Sequence, residues 1–332
     1  MGERKDIEPA APVGVVGAGT MGAGVAQCFA QAGHPVVVVD PDPDARRDGA
    51  TRLRSGLRLR SLLRGRGAAG AGAAAKDGDA EREGRREQGA QTSAPGAAGP
   101  ADPSGLVEFS ADLAALAQAS FVVECARERE SVKEEILRGL DAECGQETVF
   151  ASCTSAIPIA RLGSFTRRPD RVIGTHFMNP APLKDAVEVV RSPHTSEATL
   201  ALTLGFLERL GKKPLVVGDG PGFVTNRVLM LTVNEAAAVL EQGTADAETV
   251  DRVFQECFGH PMGPLRTGDL IGLDTIVDTL DVLREHTGDE RFRPCPLLLK
   301  LVTDGSVGRK AGSGFHQYPK SPLVPRGETS HG

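Results

Sequence analysis

The stretch Val13–Asp40, VGVVGAGTMGAGVAQCFAQAGHPVVVVD, decides how the N-terminal part of this chain is read. An apolar run, VGVV, leads into Gly17-Ala18-Gly19-Thr20-Met21-Gly22, and a run of small and apolar residues then leads into VVVVD. The pattern predicts strand, tight turn, helix, strand. G-x-G-x-x-G alone is a weak signal. Between an apolar strand and a helix, with an acid about twenty residues on, it predicts a dinucleotide site. Gly17 permits the sharp turn, Gly19 lets backbone amides approach a pyrophosphate at the helix N-terminus, and Gly22 lets helix and strand pack closely. Asp40 would accept hydrogen bonds from the adenine-side ribose hydroxyls and repel a 2′-phosphate, so the expected cofactor is NAD rather than NADP. Arg46 and Arg47 stand near enough in sequence to keep NADP open.

Working outward, the segments LVEFS, ADLAALAQA, FVVEC, RERESVKEEILRGLDAEC and TVFASC alternate β with helical patterns up to Cys153. Such alternation predicts a parallel sheet covered on both faces. A β-hairpin is expected in RVIGTHFMNPAPLKDAVEVVR, residues 171–191, followed by the helix TLALTLGFLERLG and the strand KPLVVG. After Pro221 the pattern is helical, with Gly and Pro as punctuation. The expected fold is an α/β Rossmann-type N-terminal domain with a mostly parallel sheet, plus an all-α C-terminal domain. The expected bounds are a tail at 1–12, the dinucleotide domain at 13–220, the helical domain at 221–318 and a disordered tail at 319–332. A helix is expected from about Asp44 to Arg64. Residues 65–104 carry almost no large apolar side chain and are expected to be a disordered insertion, because they bury too little surface to offset their ordering entropy. The tail motif LVPRG is similar to a protease-cleavage sequence used in protein expression and is set aside.

Bulk properties narrow the function classes. The chain has 332 residues, 40% hydrophobic and 25% charged, with a net charge of −6. That length suits two domains, and the acidic balance disfavours nucleic acid and anionic membranes as partners. No apolar run is long enough for a bilayer, and MGERKDIEPAAP lacks a signal-peptide core, so a soluble, cytoplasmic protein is expected. Cys28, Cys125, Cys144, Cys153, Cys257 and Cys295 form no CxxC pair and no zinc-ligand spacing. Reduced thiols and no metal are the expectation.

The hairpin holds the chemistry. His176 and Glu188 lie equally far on either side of Pro182, so antiparallel pairing about that loop sets them opposite one another on one face. A carboxylate between Val187 and Val189 is costly to bury without a partner, and an imidazole across the hairpin would supply one. Glu188 would orient the ring and stabilise its protonated form, as a general base requires. A purely structural His–Glu pair fits the spacing equally well.

Here the sequence resembles the 3-hydroxyacyl-CoA dehydrogenase family, including bacterial 3-hydroxybutyryl-CoA dehydrogenases. The motifs are GAGTMGAGVAQ, VVECARERESVK, FASCTSAIPI, GTHFMNPAPLKDAVEVV, GDGPGFVTNR, NEAAAVLEQG, HPMGPL, DLIGLD and GRKAGSGF, with Tyr318 just after. They cover nearly the whole chain outside 65–104 and the termini. The resemblance implies that His176, with Glu188, removes the 3-hydroxyl proton while NAD is reduced. It implies that Ser155 and Asn226 contact the substrate's hydroxyl and thioester end. It implies cofactor contacts from Gly17, Gly19, Thr20, Met21, Gly22, Asp40, Glu128, Lys133, Ser155 and Asn179, and a homodimer formed by the helical domain. Read without the resemblance, Ser155 remains a possible turn hydroxyl and Asn226 a possible helix cap.

Two departures stand out. Cys153-Thr154-Ser155-Ala156 replaces the family's usual NTSS, and Leu183-Lys184-Asp185 replaces a Met-Lys step. Arg52, Arg54, Arg58, Arg60 and Arg64 follow the second strand, where the family grips CoA. They suit CoA phosphates, an acidic acyl carrier protein, or a solvated helix face. The wording ASCTSAIPI and NPAPLKD is similar to a branch that oxidises carrier-protein-bound 3-hydroxyacyl groups, such as glyceryl units, when polyketide extender units are made. A rival of another class is a non-catalytic NAD-binding protein, which has no need of an acid–base pair. The sequence leaves CoA against carrier protein, acyl identity and physiological direction open.

Overall fold

The structure, a computed structural model, describes residues 12–73 and 103–319, and of residues 60–73 the backbone only. Two compact units result. The first runs to Thr154 and resumes over Pro158–Asp219; the second takes Ser155–Ile157 and the chain from Gly220 onward.

In the first unit eight strands form one sheet: β1 (Val13–Val16), β2 (Val36–Val39), β3 (Val107–Ser110), β4 (Phe121–Glu124), β5 (Val149–Ser152), β6 (Val172–Phe177), β7 (Ala186–Arg191) and β8 (Lys213–Gly218). Their spatial order is β3-β2-β1-β4-β5-β6-β7-β8. Every neighbouring pair is parallel except β6–β7. β1, β4 and β5 are buried at every position, which is why they read as unbroken apolar runs instead of alternating ones. Strand order reverses between β1 and β4, and ligands of open α/β sheets bind beyond the strand C-termini at such a point.

Five helices belong to this unit: α1 (Thr20–Gln31), α2 (Pro43–Ala73), α3 (Glu130–Glu143), α4 (Ile159–Gly163) and α5 (Glu197–Arg209). α5 starts at Ser196, whose hydroxyl accepts from the Thr199 N–H at 3.1 Å. Its Phe206 is fully buried, with ring centroids 5.2 Å from Phe29 of α1 and 4.8 Å from Phe121 of β4.

Asp141, near the end of α3, is buried and takes Nε–H donors from Arg167 and Arg168, each at 2.7 Å. Arg168 also donates to the carbonyls of Asp141, Cys144 and Gly145, closing the last turn of α3. Burial alone would raise the Asp141 pKa, but the hydrogen bonds from Arg167 and then Arg168 outweigh it and hold the carboxyl low. A depressed folded pKa stabilises above the unfolded value of about 3.9 and stops stabilising as pH falls through the folded value. Arg168→Ala is therefore expected to cost about 2 kcal/mol in urea unfolding at neutral pH. Its deficit should shrink as pH falls below about 4 and on through the lower folded value, where Asp141 protonates; a deficit independent of pH would count against the clamp.

Two expectations are corrected. ADLAALAQA is not a helix but a short 3-10 turn, Leu113–Leu116, started by Asp112 accepting the Ala114 N–H at 3.0 Å. Residues 111–120 must return from the end of β3 to the start of β4 and pass β2 and β1 on the way. Three strand spacings of about 4.8 Å each leave no length for a helix. Second, α2 continues through Ala73, into the segment expected to lack structure from residue 65; no proline interrupts the sequence between Pro43 and Pro95. The rest of that insertion, residues 74–102, lies outside the described residues, as do the tails at 1–11 and 320–332.

The second unit is helical: α6 (Thr225–Glu241), α7 (Ala247–Phe258), α8 (Pro264–Ile271), α9 (Leu273–Thr287) and α10 (Pro296–Thr303). On α9, Leu273, Ile276, Leu280 and Leu283 recur at helical spacing and are fully buried, with Val233 of α6, Leu265 of α8 and Leu298 of α10 in the same core. α7 begins at Asp246, which accepts the Thr249 N–H at 2.8 Å, and ends at Gly259 in the left-handed conformation. The segment ending at Tyr318 is fastened by Asp269, which accepts from the N–H groups of Phe315 and His316 and from the Tyr318 hydroxyl. Burial, then that bond to Asp269, push the Tyr318 phenol up to about 12. Among the described residues no helix is long and apolar enough to cross a membrane.

Candidate active site

At the C-terminal ends of β1 and β2 the three motif glycines have different reasons to be glycine. Gly17 sits at φ +99°, and a Cβ there would lie 2.9 Å from the Cys125 carbonyl oxygen. A Cβ on Gly22 would lie 1.8 Å from the Gly17 carbonyl oxygen. Both are explained by the chain's own packing. Gly19 is exposed, and a Cβ added to it would meet nothing within 4 Å. No side chain caps the start of α1 above it. Thr20 is exposed and Met21 half-buried at the same turn. Bare backbone amides at an uncapped helix start suit an anionic group such as a pyrophosphate.

A cavity of about 1000 Å³ opens beside this turn, with Gly17, Gly19, Asp40, Pro41, Asp42 and Cys125 in its wall. Asp40 is held by two backbone donors, Ala18 N–H at 2.8 Å and Asp42 N–H at 3.0 Å, one to each carboxylate oxygen. Each oxygen keeps a second acceptor site for a ribose hydroxyl. The two arginines that kept NADP open are engaged elsewhere. Arg46 donates to the carbonyls of Asp40 and Pro41 at 2.6 and 3.0 Å, and Arg47 pairs with Asp44 at 2.6 Å. The residues present therefore fit NAD.

Next along the C-terminal ends of the strands is a network centred on Glu124, which the motif reading missed. Glu124, the last residue of β4, is 1% exposed. It accepts from Lys133 Nζ at 2.8 Å on both oxygens, from Ser152 Oγ at 2.6 Å and from the Ala126 N–H at 2.7 Å. Lys133 is fully buried and also lies 3.5 Å from Glu128, which accepts from the Thr154 hydroxyl. Burial alone would lower the Lys133 pKa; the charges of Glu124 and then Glu128 reverse that and raise it. Lys133 was expected to touch the cofactor. Its ammonium faces Glu124 and Glu128, and Glu128 is the exposed member of the set. The available signal was an acid closing an otherwise apolar strand, FVVE, the same mark that singled out Glu188.

In the hairpin, His176 pairs with Glu188 in the antiparallel register of β6 and β7. Both are buried, at 7% and 4% exposure, and Nδ1 lies 3.0 Å from a Glu188 carboxylate oxygen. An ionised carboxylate only accepts, so against one Nδ1 is the donor, and in a neutral ring Nε2 would then be the basic nitrogen. The loop between the strands is pinned by the buried Lys212, whose ammonium donates to the carbonyls of Ala181 and Lys184 at 2.7 and 2.8 Å. Asn179 is exposed on that loop.

Ser155 and Asn226 meet within the second unit. The Asn226 side-chain amide donates to the Ser155 carbonyl at 2.7 Å, and the Gly222 N–H donates to Ala156 at 3.0 Å. Asn226 does not cap α6, whose first turn has no side-chain cap. The candidate residues thus gather as Asp40 with the glycine turn, Glu128 with Lys133, His176 with Glu188, and Ser155 with Asn226.

Comparison with known proteins follows the same division. Residues 12–76 and 69–220 match the 3-hydroxyacyl-CoA dehydrogenase NAD binding domain, and residues 222–318 match the 3-hydroxyacyl-CoA dehydrogenase C-terminal domain. A probable 3-hydroxybutyryl-CoA dehydrogenase of Deinococcus radiodurans is 38% identical over 305 residues, 92% of this chain and 99% of that one. One from Bacillus subtilis is 38% identical over 304 residues, 92% of this chain and 96% of the relative. The crystal structure of (S)-3-hydroxybutyryl-CoA dehydrogenase from Ralstonia eutropha superposes with a TM-score of 0.77 at 35% identity, covering 94% of this chain and all of that one.

Proposed function

The chain belongs to the 3-hydroxyacyl-CoA dehydrogenase family and is an NAD-dependent enzyme, and from that premise we propose that His176 and Glu188 are its acid–base pair and a short 3-hydroxyacyl thioester its substrate. The observation that supports this most is the buried 3.0 Å contact between His176 Nδ1 and Glu188. His176 Nε2 takes the proton of the substrate's 3-hydroxyl as C3 is oxidised to the ketone, and Glu188 holds the tautomer and stabilises the imidazolium that forms. Bound NAD supplies the acceptor for the hydride that leaves C3. The amides at Gly19 receive its phosphates and Asp40 its ribose hydroxyls, while Lys133 positions Glu128 at the nicotinamide end. Asn179 contributes from the hairpin loop. Ser155 and Asn226 hold the substrate's oxygens, and their shared hydrogen bond makes them act as one unit.

The direct experiment supplies 3-hydroxybutyryl-CoA and NAD and follows NADH formation. Turnover is expected, and its absence with both CoA and carrier-protein thioesters would sink the reading. A second reading, the same chemistry on an acyl carrier protein, is favoured by α2. Arg52, Arg54 and Arg58 are exposed on that helix, in a chain of net charge −6. A basic face on an acidic protein steers an acidic partner. The two readings separate when one 3-hydroxyacyl group is presented on CoA and on carrier protein. The carrier reading requires the higher kcat/KM on the protein and a steep loss with salt.

Asp40→Asn keeps the shape of the side chain and removes the charge that repels a 2′-phosphate. The ratio of NADP to NAD efficiency is expected to rise about tenfold, the scale of one charged hydrogen bond lost; an unchanged ratio would mean that Asp40 does not set cofactor choice. We also propose that the helical unit pairs with a second copy. Val224, Val228, Phe258 and Leu270 are each more than half exposed there, apolar side chains of the kind that a homodimer would cover. Sedimentation is expected to give twice the chain mass, against a monomer if this is wrong.

A further inference from the structure

Two cysteines that the proposed chemistry does not use lie side by side just past the C-terminal ends of β4 and β5. β4 and β5 pair in parallel with Glu124 opposite Ser152, and the ladder continues one step through the Cys153 N–H to the Glu124 carbonyl at 2.7 Å. Cys125 and Cys153 are therefore adjacent positions on neighbouring strands, with side chains on the same face. Strands in a sheet lie about 4.8 Å apart, within the Cα separation of about 4.4–6.8 Å that a disulfide spans. The named strands end at Glu124 and Ser152, so the backbone beyond is less constrained to one spacing. Both thiols are half-buried.

We propose that Cys125 and Cys153 are a redox-sensitive dithiol that closes to a disulfide under peroxide and switches the enzyme off. The two sulfurs are differentiated for the reaction. Hydrogen bonding by the neighbouring Cys125 thiol, opposed by burial and reinforced by His176, the Phe177 N–H and Lys133, lowers the Cys153 thiol. The same bond, with burial, raises Cys125 and keeps it protonated. The Cys153 thiolate attacks a peroxide oxygen, the O–O bond breaks, and Cys153 becomes a sulfenic acid as hydroxide leaves and is protonated. The Cys125 sulfur then attacks that sulfur, the S–O bond breaks, and water departs with the Cys125 proton. Two thiols and one hydroperoxide give one disulfide, one alcohol or water, and one water.

The position of the bridge explains the loss of activity. The Cys125 carbonyl packs against the Gly17 turn, closely enough that a Cβ on Gly17 would lie 2.9 Å from it, and Cys125 also lines the dinucleotide cavity. Drawing Cys125 toward Cys153 shifts the floor of that turn, and a misplacement of about 1 Å at a reacting site costs about a hundredfold. The inhibition rests on the family's NAD-dependent activity; the bridge does not.

The test treats the reduced full-length chain with hydrogen peroxide, alkylates the remaining thiols, and maps peptides under non-reducing conditions. A peptide linking Cys125 to Cys153 is expected, with turnover down by about a hundredfold and recovery in dithiothreitol. Cys125→Ser should accumulate Cys153 sulfenic acid, trapped by dimedone, and neither Cys125→Ser nor Cys153→Ser should form the link. Oxidation confined to the exposed Cys257, or alkylation of both Cys125 and Cys153 after peroxide, overturns the proposal. A link that leaves turnover unchanged overturns the switch. A failure of the acid–base reading appears in a His176 variant and leaves the peptide map untouched, so the two are distinguishable.

Discussion

His176→Gln is expected to bind NAD as the parent does and to turn over roughly 10²–10⁴-fold more slowly, the range that a positioned general base contributes. Glutamine is the informative replacement because its amide can still donate to Glu188, which is 4% exposed and cannot be left without a donor cheaply. Alanine would confound the result by stranding that carboxylate. The glycine turn and Asp40 are separate from the hairpin, so fluorescence titration with NADH should give an unchanged Kd. Glu188→Gln completes the argument. It keeps a hydrogen bond to the ring but can force the hydrogen onto the wrong nitrogen, so kcat should fall with little change in cofactor affinity. Near-parental turnover in His176→Gln would remove the assignment, and with it the reason for an acid inside β7.

The largest stability effect is expected at Lys133. Removing one member of a buried ion pair leaves the other uncompensated and typically costs about 3–5 kcal/mol. Glu124 would keep Ser152 and the Ala126 N–H as donors, so Lys133→Met should fall near the lower end, about 3 kcal/mol in urea unfolding. Adding Glu124→Gln removes the stranded charge and should recover much of the loss, a coupling that independent sites would not show. The raised Lys133 pKa sets the pH window. Its stabilisation is present in full below the unfolded lysine value of about 10.4 and is lost only as pH climbs through the higher folded value. Equal stability of parent and Lys133→Met at neutral pH would show that the pair contributes nothing net.

Much of this arrangement is local, and local patterns are legible. Gly17, Gly22 and Asp40 answer to a strand–turn–helix–strand unit whose parts are close in sequence. The His176–Glu188 register follows from one loop between two strands, because side chains alternate and a hairpin has few ways to close. Misreadings came where a local preference met a global distance. The alanine-rich 111–119 segment has helical composition, yet the crossing from β3 to β4 consumed its length.

By itself, then, the sequence determined the glycine turn, the acid that ends β2 and the histidine facing an acid across a hairpin, since each is set by periodicity and short-range sterics. Only the tertiary structure decided that Lys133 turns inward to Glu124, that Ser155–Ile157 packs with the helical unit, and that Cys125 and Cys153 are neighbours. Those facts depend on which strands lie side by side. Parallel pairing joins residues far apart along the chain, and the energy that selects it is distributed over a whole buried sheet rather than written in any one segment.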